Sequence, residues 1–342
     1  MDIVIVGSIG YDDISTPEAE GSDLLGGAAT YAGLSAAFHS SDDISNNPNI
    51  GIVSAVGHDF SPSDQLRLES AGLNLAGVEM RNGETFRWSG RYQGSMEDAE
   101  TISTDINVLE NFNPEVPTSW TSPEILFCAN THPATQVSVL DQCPSAVITA
   151  LDSFMLWINS EKIKLSEALR KVDIAILNEE EVCAIAGDEV LPRAISSIQS
   201  GAALFGGENA GPGPRCVIVK RGSGGVIGKF PFGLISLPSY PISNVVDPTG
   251  CGDSFAGAFL ANISGRDGAL NDIEVIRNAL VHATVTASFT LGSLGCSSIS
   301  KLERGQYHAR VERYRRIVGL TKSSLLIPFK CPLSLLFDGL RI

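Results

Sequence analysis

From residue 124 onward, short uninterrupted apolar runs alternate with helical stretches, and this rhythm narrows the fold more than any other feature. The runs are Ile125 to Ala129, Ala146 to Ala150, Ile174 to Leu177 and Cys216 to Val219. None alternates apolar with polar, so each reads as a strand covered on both faces. Ala134 to Gln142 and a stretch near Ser160 to Val172 read as helices, and another helix precedes Cys216. Such alternation means βαβ units and a mainly parallel sheet, whose ligands bind beyond the carboxyl ends of the strands. Polar clusters fall there: Asn130, Asp152, Asn178-Glu179-Glu180-Glu181 and Lys220-Arg221-Gly222-Ser223-Gly224-Gly225.

The first half of the chain fits the same scheme. Ile3 to Val6 is a buried strand running into Gly7-Ser8-Ile9-Gly10 and then Asp12 and Asp13. Gly26-Gly27 opens a small-residue helix, Asn49 to Val56 is a strand, and Ser63 to Ala71 is helical. From Val78 the chain turns β-like. Around Glu84 to Tyr92, alternation puts Thr85, Arg87, Ser89 and Arg91 on one face and Phe86, Trp88 and Tyr92 on the other. Gly206 to Pro214 reads as a surface loop, since the rhythm resumes directly after it. In the last segment, 323–342, Pro328 and Pro332 interrupt the apolar residues and no helical face results.

Composition bounds the function. A 43% hydrophobic, 18% charged chain of 342 residues can bury a sizeable core as one large domain or two ordinary ones. With 24 Lys and Arg against 39 Asp and Glu, the formal charge is −15. That surface disfavours nucleic acid as a partner. It leaves open a phosphate site built locally from backbone N–H groups. No basic segment followed by an apolar run opens the chain, and no run is long enough for a membrane span. Seven cysteines, odd in number and without metal spacing, read as reduced thiols of a cytoplasmic protein.

The chemistry concentrates in Asp247-Pro248-Thr249-Gly250-Cys251-Gly252-Asp253, followed by Ser254 and Phe255. Phe255, Phe259 and Ile263 recur every four residues, so a helix begins around Gly250 to Asp253. Glycines at a helix start leave its unpaired N–H groups unobstructed, and with the helix dipole they form an anion site. A phosphoryl group in transfer is what such a site would stabilise. Asp253, in the first turn, is placed to accept the proton of an incoming hydroxyl.

These residues resemble the ribokinase, or pfkB-type, carbohydrate kinase family, whose signature has the form D-T/P-x-G-A-G-D-x-F. Here it reads DPTGCGDSF, with Cys251 in place of the usual alanine, over a likeness spanning roughly residues 1–320. The resemblance implies an α/β fold: a ribokinase-like three-layer sandwich with a central, mainly parallel sheet and a small β lid. It implies a kinase domain over 1–322, with lid segments at about 10–25 and 84–105, and a separate tail at 323–342. Asp253 would be the catalytic base, with Gly250, Cys251 and Gly252 as the anion hole. Asp12, Gly26, Gly27, Arg91 and Asn130 would meet the substrate. Asn178, Lys220, Gly222, Gly225 and His282 would meet ATP. Glu181 would hold Mg²⁺ through water, and Asp247 and Thr249 lie where relatives often bind a monovalent cation such as K⁺.

The expected reaction moves the γ-phosphoryl group of ATP to a hydroxyl of a sugar or sugar-like molecule. Nucleosides are the alternative acceptor, and Tyr11, Tyr31, Phe86 or Trp88 could furnish their aromatic base pocket. A non-catalytic sugar or nucleotide sensor on the same fold is the competing class. A dinucleotide-binding oxidoreductase is disfavoured, because Gly7-Ser8-Ile9-Gly10 is not G-x-G-x-x-G. The resemblance leaves open a homodimer joined lid to lid.

Overall fold

The computed structural model describes residues 1–41, 49–94, 96 and 99–320; the expected tail at 323–342 lies outside them. In chain order the elements begin with β1 (Ile3–Val6), β2 (Gly10–Ser15), β3 (Glu20–Gly26), α1 (Ala28–Ser40), β4 (Ile50–Val56), α2 (Pro62–Ser70) and β5 (Leu73–Met80). They continue with β6 (Phe86–Tyr92), β7 (Ala99–Asp105), β8 (Ile125–Cys128), α3 (Pro133–Gln142), β9 (Ile148–Leu151), α4 (Met155–Ser160) and α5 (Lys162–Lys171). Next come β10 (Ile174–Asn178), α6 (Glu179–Ala186), α7 (Leu191–Ser200), β11 (Cys216–Lys220), β12 (Val226–Phe230) and β13 (Gly233–Leu237). Four helices close the described chain: α8 (Cys251–Ile263), α9 (Ile273–Thr290), α10 (Ser297–Ser300) and α11 (Arg304–Ile317).

Nine strands form one sheet in the order β13-β12-β11-β10-β9-β8-β1-β4-β5. It is parallel except at β11-β12-β13. Every residue of β1, β4 and β8 is buried, as strands covered on both faces must be. Alternate residues feed opposite cores. Ile3, Ile5, Ile125 and Phe127 pack toward α1, α8 and α9. Val4, Val6, Leu126 and Cys128 pack toward α3, α5 and α7. The result is three layers, helix–sheet–helix.

A second sheet, in the order β3-β2-β6-β7, rises from this body. Its inner face carries Ile14, Tyr92 and Met96, against which Leu24, Trp88, Val245 and Leu294 pack. Because β1 lies between β4 and β8, the strand order reverses there. That reversal opens the crevice in which open α/β sheets bind ligands, and β2 leaves it directly toward the small sheet.

Candidate active site

The α8 N-terminus is built by glycine. Gly250 caps the helix at φ 71°, a left-handed conformation that costs other residues steric strain, and the Tyr31 ring occupies the space where its Cβ would lie. No side chain caps the helix. Cys251 N donates to the Pro248 carbonyl at 3.2 Å, which leaves the amides of Gly250 and Gly252 to meet an anion. A Cβ at Gly252 would sit 3.0 Å from the Lys220 ammonium, so the end of β11 delivers a cation to the helix tip. Cys251 contributes backbone only. Burial pushes its thiol up to about 12, and Sγ donates to the Ala287 carbonyl at 3.4 Å.

Asp253 sits beside this tip, half-buried in the first turn of α8. Burial, reinforced by the Asp152 charge and opposed by Lys220, pushes its carboxyl up to about 6. That suits a group that must accept a proton near neutral pH. Lys220 Nζ bonds Asp152 Oδ2 at 2.6 Å, and both side chains are largely buried. Burial opposes the lysine's charge, but Asp152, Glu181 and Asp253 outweigh it and hold Lys220 protonated. Asp152 is thus part of the charged cluster. In sequence it marks only the end of a strand.

The N-x-x-E segment is a capping box. Asn178 Oδ1 accepts from Glu181 N at 2.7 Å, and Glu181 Oε2 accepts from Asn178 N at 2.8 Å. The helix start accounts for this spacing and commits the Asn178 oxygen. Glu181 is 4% exposed, and burial together with Asp152 pushes its carboxyl up to about 8, against the pull of Lys220. Among the described residues no three His, Cys, Asp or Glu side chains converge on a metal position. Carboxylate oxygens such as those of Glu181 are the donor type Mg²⁺ takes while it keeps its waters and leans on phosphate oxygens.

On the other side of the crevice, Asp12 is 3% exposed, and its carboxylate packs where a side chain on Gly26 would have to lie. Gly26 is therefore glycine because Asp12 is there. Burial, then the charges of Asp247, Asp253 and Asp13, push Asp12 well above the usual carboxylate range. A hydroxyl-bearing ligand would supply the donors this carboxyl lacks. Gly27 turns the chain at φ 94°, and Ser8 takes up the next amides: Ala28 N donates to its Oγ and Ala29 N to its carbonyl. Tyr31, 1% exposed, has an unpartnered hydroxyl. Burial and the charges of Asp12 and Asp247 keep its proton on. Sequence reading treats Tyr31 as a base-pocket candidate and gives no sign of this placement under the helix tip. Asp247 is fully buried, and its two oxygens accept from Thr249 N and Gly295 N, both at 2.8 Å. Thr249 Oγ1 meets Tyr92 OH of the lid at 3.0 Å. Asn130, at the end of β8, accepts from Trp157 Nε1 at 3.1 Å, which leaves its amide nitrogen uncommitted to that bond.

Three expectations need correction. Arg91 lies on the outer face of the lid sheet, half exposed and 3.9 Å from Glu100, because β6 turns its even-numbered residues inward. His282 is held inside the helical layer by a hydrogen bond to Tyr307 and by the neighbouring His39 ring. Those contacts account for it as a packing histidine. Gly225 is needed for a left-handed turn where the Leu237 carbonyl approaches, so the β12-β13 side of the loop explains it without a nucleotide. Gly222, at φ 50°, starts the same turn, which Arg221 ties to Glu179 at 2.7 Å.

Residues 51–303 match the family model described as pfkB family carbohydrate kinase. The cytidine kinase of Thermococcus kodakarensis is 27% identical over 272 residues, covering 77% of this chain and 89% of that protein. Burkholderia thailandensis nucleoside kinase, solved with inosine, superimposes with a TM-score of 0.68 at 16% identity, covering 91% of this chain and 98% of that one. An E. coli protein described as ribokinase II, solved with ATP and Mg²⁺, gives 0.67 at 20% identity, covering 91% and 99%. Fold, signature and family match agree: the chain belongs to the pfkB family of carbohydrate kinases, an ATP-dependent phosphotransferase with an alcohol as acceptor.

Proposed function

We propose that the acceptor is a hydroxyl on the sugar of a nucleoside, and that Asp253 takes its proton as the γ-phosphoryl group of ATP arrives in line. The observation that carries the base assignment is the placement of Asp253: first turn of an uncapped helix, carboxyl raised to about 6, Asp12 across the crevice. The nucleoside rests on the cytidine kinase likeness, which runs through 77% of the chain. A free sugar is the second reading, favoured by the family's description.

In this reading Asp12 and Asn130 orient the sugar, while the backbone from Gly26 and Gly27 lies under it. The amides of Gly250 and Gly252 hold the equatorial oxygens of the transferring group, and Cys251 N, bonded to the Pro248 carbonyl at 3.2 Å, turns toward them only by giving up that bond. Lys220, fixed by Asp152, adds positive charge from below. These groups are in place before reaction, so their stabilisation needs no reorganisation. Glu181 and Asp152 offer hard oxygens to the water shell of Mg²⁺, which when bound neutralises the charge on the phosphate oxygens. Asn178 and the turn that starts at Gly222 flank the nucleotide. Asp247 and Thr249 remain the assignment for a K⁺ ion, at loops the buried carboxylate already joins. The six cysteines among the described residues are all free, which supports a reducing, cytoplasmic setting. No described helix is long and apolar enough to cross a membrane. A homodimer through the lid belongs to the same proposal.

Asp253→Asn is expected to keep ATP binding, measured by calorimetry, and to lose roughly 10²–10⁴ of turnover, measured as ADP release with acceptor present. Near-normal turnover would reject Asp253 as the base. Running the same assay over nucleosides, sugars and polyols decides the acceptor.

A further inference from the structure

If Asp12 grips a sugar, the base attached to it must lie against something nearby, and the four aromatic candidates sort themselves by position. Tyr11 faces away: its hydroxyl bonds Asp64 at 3.1 Å and accepts from Ser61 N at 2.9 Å, and Arg87 stands over its ring. Tyr31 is sealed beneath Gly250 with no face free. Phe86 lies across Gly10, its partner in the strand pairing, at the body end of the lid. Trp88 differs from all three. It is the register partner of Asp12 in the parallel β2-β6 pair, so carboxylate and indole share the inner face of the lid.

The indole is also held as a platform. It folds over Gly90, where any Cβ would collide with the six-membered ring, so glycine at 90 is what lets it lie against the sheet. Tyr92 supports its edge at 6.5 Å between centroids and 60° between planes. Nε1 donates to Thr101 Oγ1 at 3.4 Å. Ile14 and Met96 back this cluster, yet Trp88 itself remains half-buried. A flat, supported, partly open ring beside a buried carboxyl matches the two halves of a nucleoside.

We infer that Trp88 stacks on the nucleobase while Asp12 holds the ribose, an inference that rests on the nucleoside reading above. Stacking on an aromatic ring tolerates different bases, so Trp88 sets nucleoside against free sugar and not one base against another. The test measures ADP release with cytidine, inosine, adenosine and D-ribose for wild type, Trp88→Leu and Trp88→Phe. Leucine keeps apolar volume against Ile14 and Tyr92 but has no ring. Trp88→Leu is expected to raise the KM for nucleosides on the order of tenfold or more while the KM for ATP holds. Trp88→Phe recovers most of that loss. A nucleoside KM within about twofold of wild type in Trp88→Leu would overturn the stacking role. Should the leucine variant fail to fold, indole emission carries the test: cytidine without ATP quenches wild type and leaves Trp88→Phe unquenched, and equal quenching in both refutes it. Wild type that turns over D-ribose but no nucleoside would sink the nucleoside reading itself, before any variant is made.

Discussion

At the residue scale, the carboxyl of Asp253, the base in the function proposed above, is tuned by two neighbours of opposite sign. Asp152 raises Asp253 and Lys220 lowers it, on top of the burial that raises it most. Because Lys220 is bonded to Asp152, it also masks part of that residue's charge. Removing the lysine therefore acts twice in one direction. For Lys220→Met, the acid limb of the kcat/KM profile for the acceptor should move from near pH 6 upward by about one unit. The sign follows from the base needing to be ionised: a higher carboxyl pKa means activity is lost at a higher pH. An unmoved limb, even with lower kcat, would show that Lys220 does not set the protonation of Asp253. Legibility at this scale was uneven. The run from Asp247 to Asp253 announces an anion site because glycines, helix period and acid lie within seven consecutive positions. Asp152 stands 68 residues from Lys220, after β9 and at the end of β11, and only the folded sheet, with β10 between those two strands, brings them together. The Tyr31 hydroxyl was equally hidden, since Gly250, which its ring touches, lies on a different helix start.

At the element scale, the strands buried on both faces were readable because no polar residue interrupts them, and β1, β8, β10 and β11 fall where apolar runs predict. The β12-β13 hairpin was not, because an edge hairpin carries weaker runs, and Lys229 and the exposed Leu234 dilute its pattern. The inner face of β6 was ambiguous for another reason. Arg87 and Arg91 look alike in sequence, yet one is anchored to the body and the other is in solvent. His282 shows how a helix face misleads. It belongs to the seam of α1, α9 and α11, where His39 Nε2 meets Thr286 Oγ1 at 2.7 Å and Tyr307 stacks on His282. Burial, with Arg315, His308 and Arg266 adding repulsion, pushes His282 down to about 4. The folded chain thus resists a proton that the unfolded chain accepts from about pH 6.5 downward. Between about pH 6.5 and 4, acid therefore erodes the stability His282 provides. His282→Gln has nothing to protonate. Its deficit in Tm relative to wild type should shrink by roughly a few degrees between pH 7.5 and 5. Taking the difference between the two proteins cancels the raised carboxylates, which act in the opposite direction over the same window. A constant difference would mean the histidine is not buried as a neutral ring.

At the scale of the whole molecule, the question is what keeps a phosphoryl donor from reacting with water when no acceptor is bound. The lid answers it by position. Its inner face touches the body through Tyr92 and Thr249, and its root is tied down by Arg87. That guanidinium reaches Asp23 of β3 at 2.5 Å and Asp59 after β4 at 3.1 Å, and lies over Tyr11, whose hydroxyl reaches α2. Asp59 in turn accepts from Thr85 N and Oγ1, both at 2.7 Å, at the start of β6. One arginine thus joins both lid segments to the body beside the crevice. The Asp23 end is largely exposed, so these ion pairs contribute little to global stability, on the order of 1 kcal/mol or less each. Their effect is on where the lid sits. In Arg87→Met the closed arrangement should be less populated, with the site less dry and the acceptor less firmly held. The expected outcome is a Tm within about 2 °C of wild type, unchanged ATP affinity, and an acceptor KM several-fold higher. The decisive quantity is the ratio of ADP released to acceptor phosphorylated. Wild type should stay near one, and Arg87→Met should exceed it as water competes for the phosphoryl group. If the variant keeps a ratio of one while its KM rises, the arginine positions the acceptor without governing the exclusion of water.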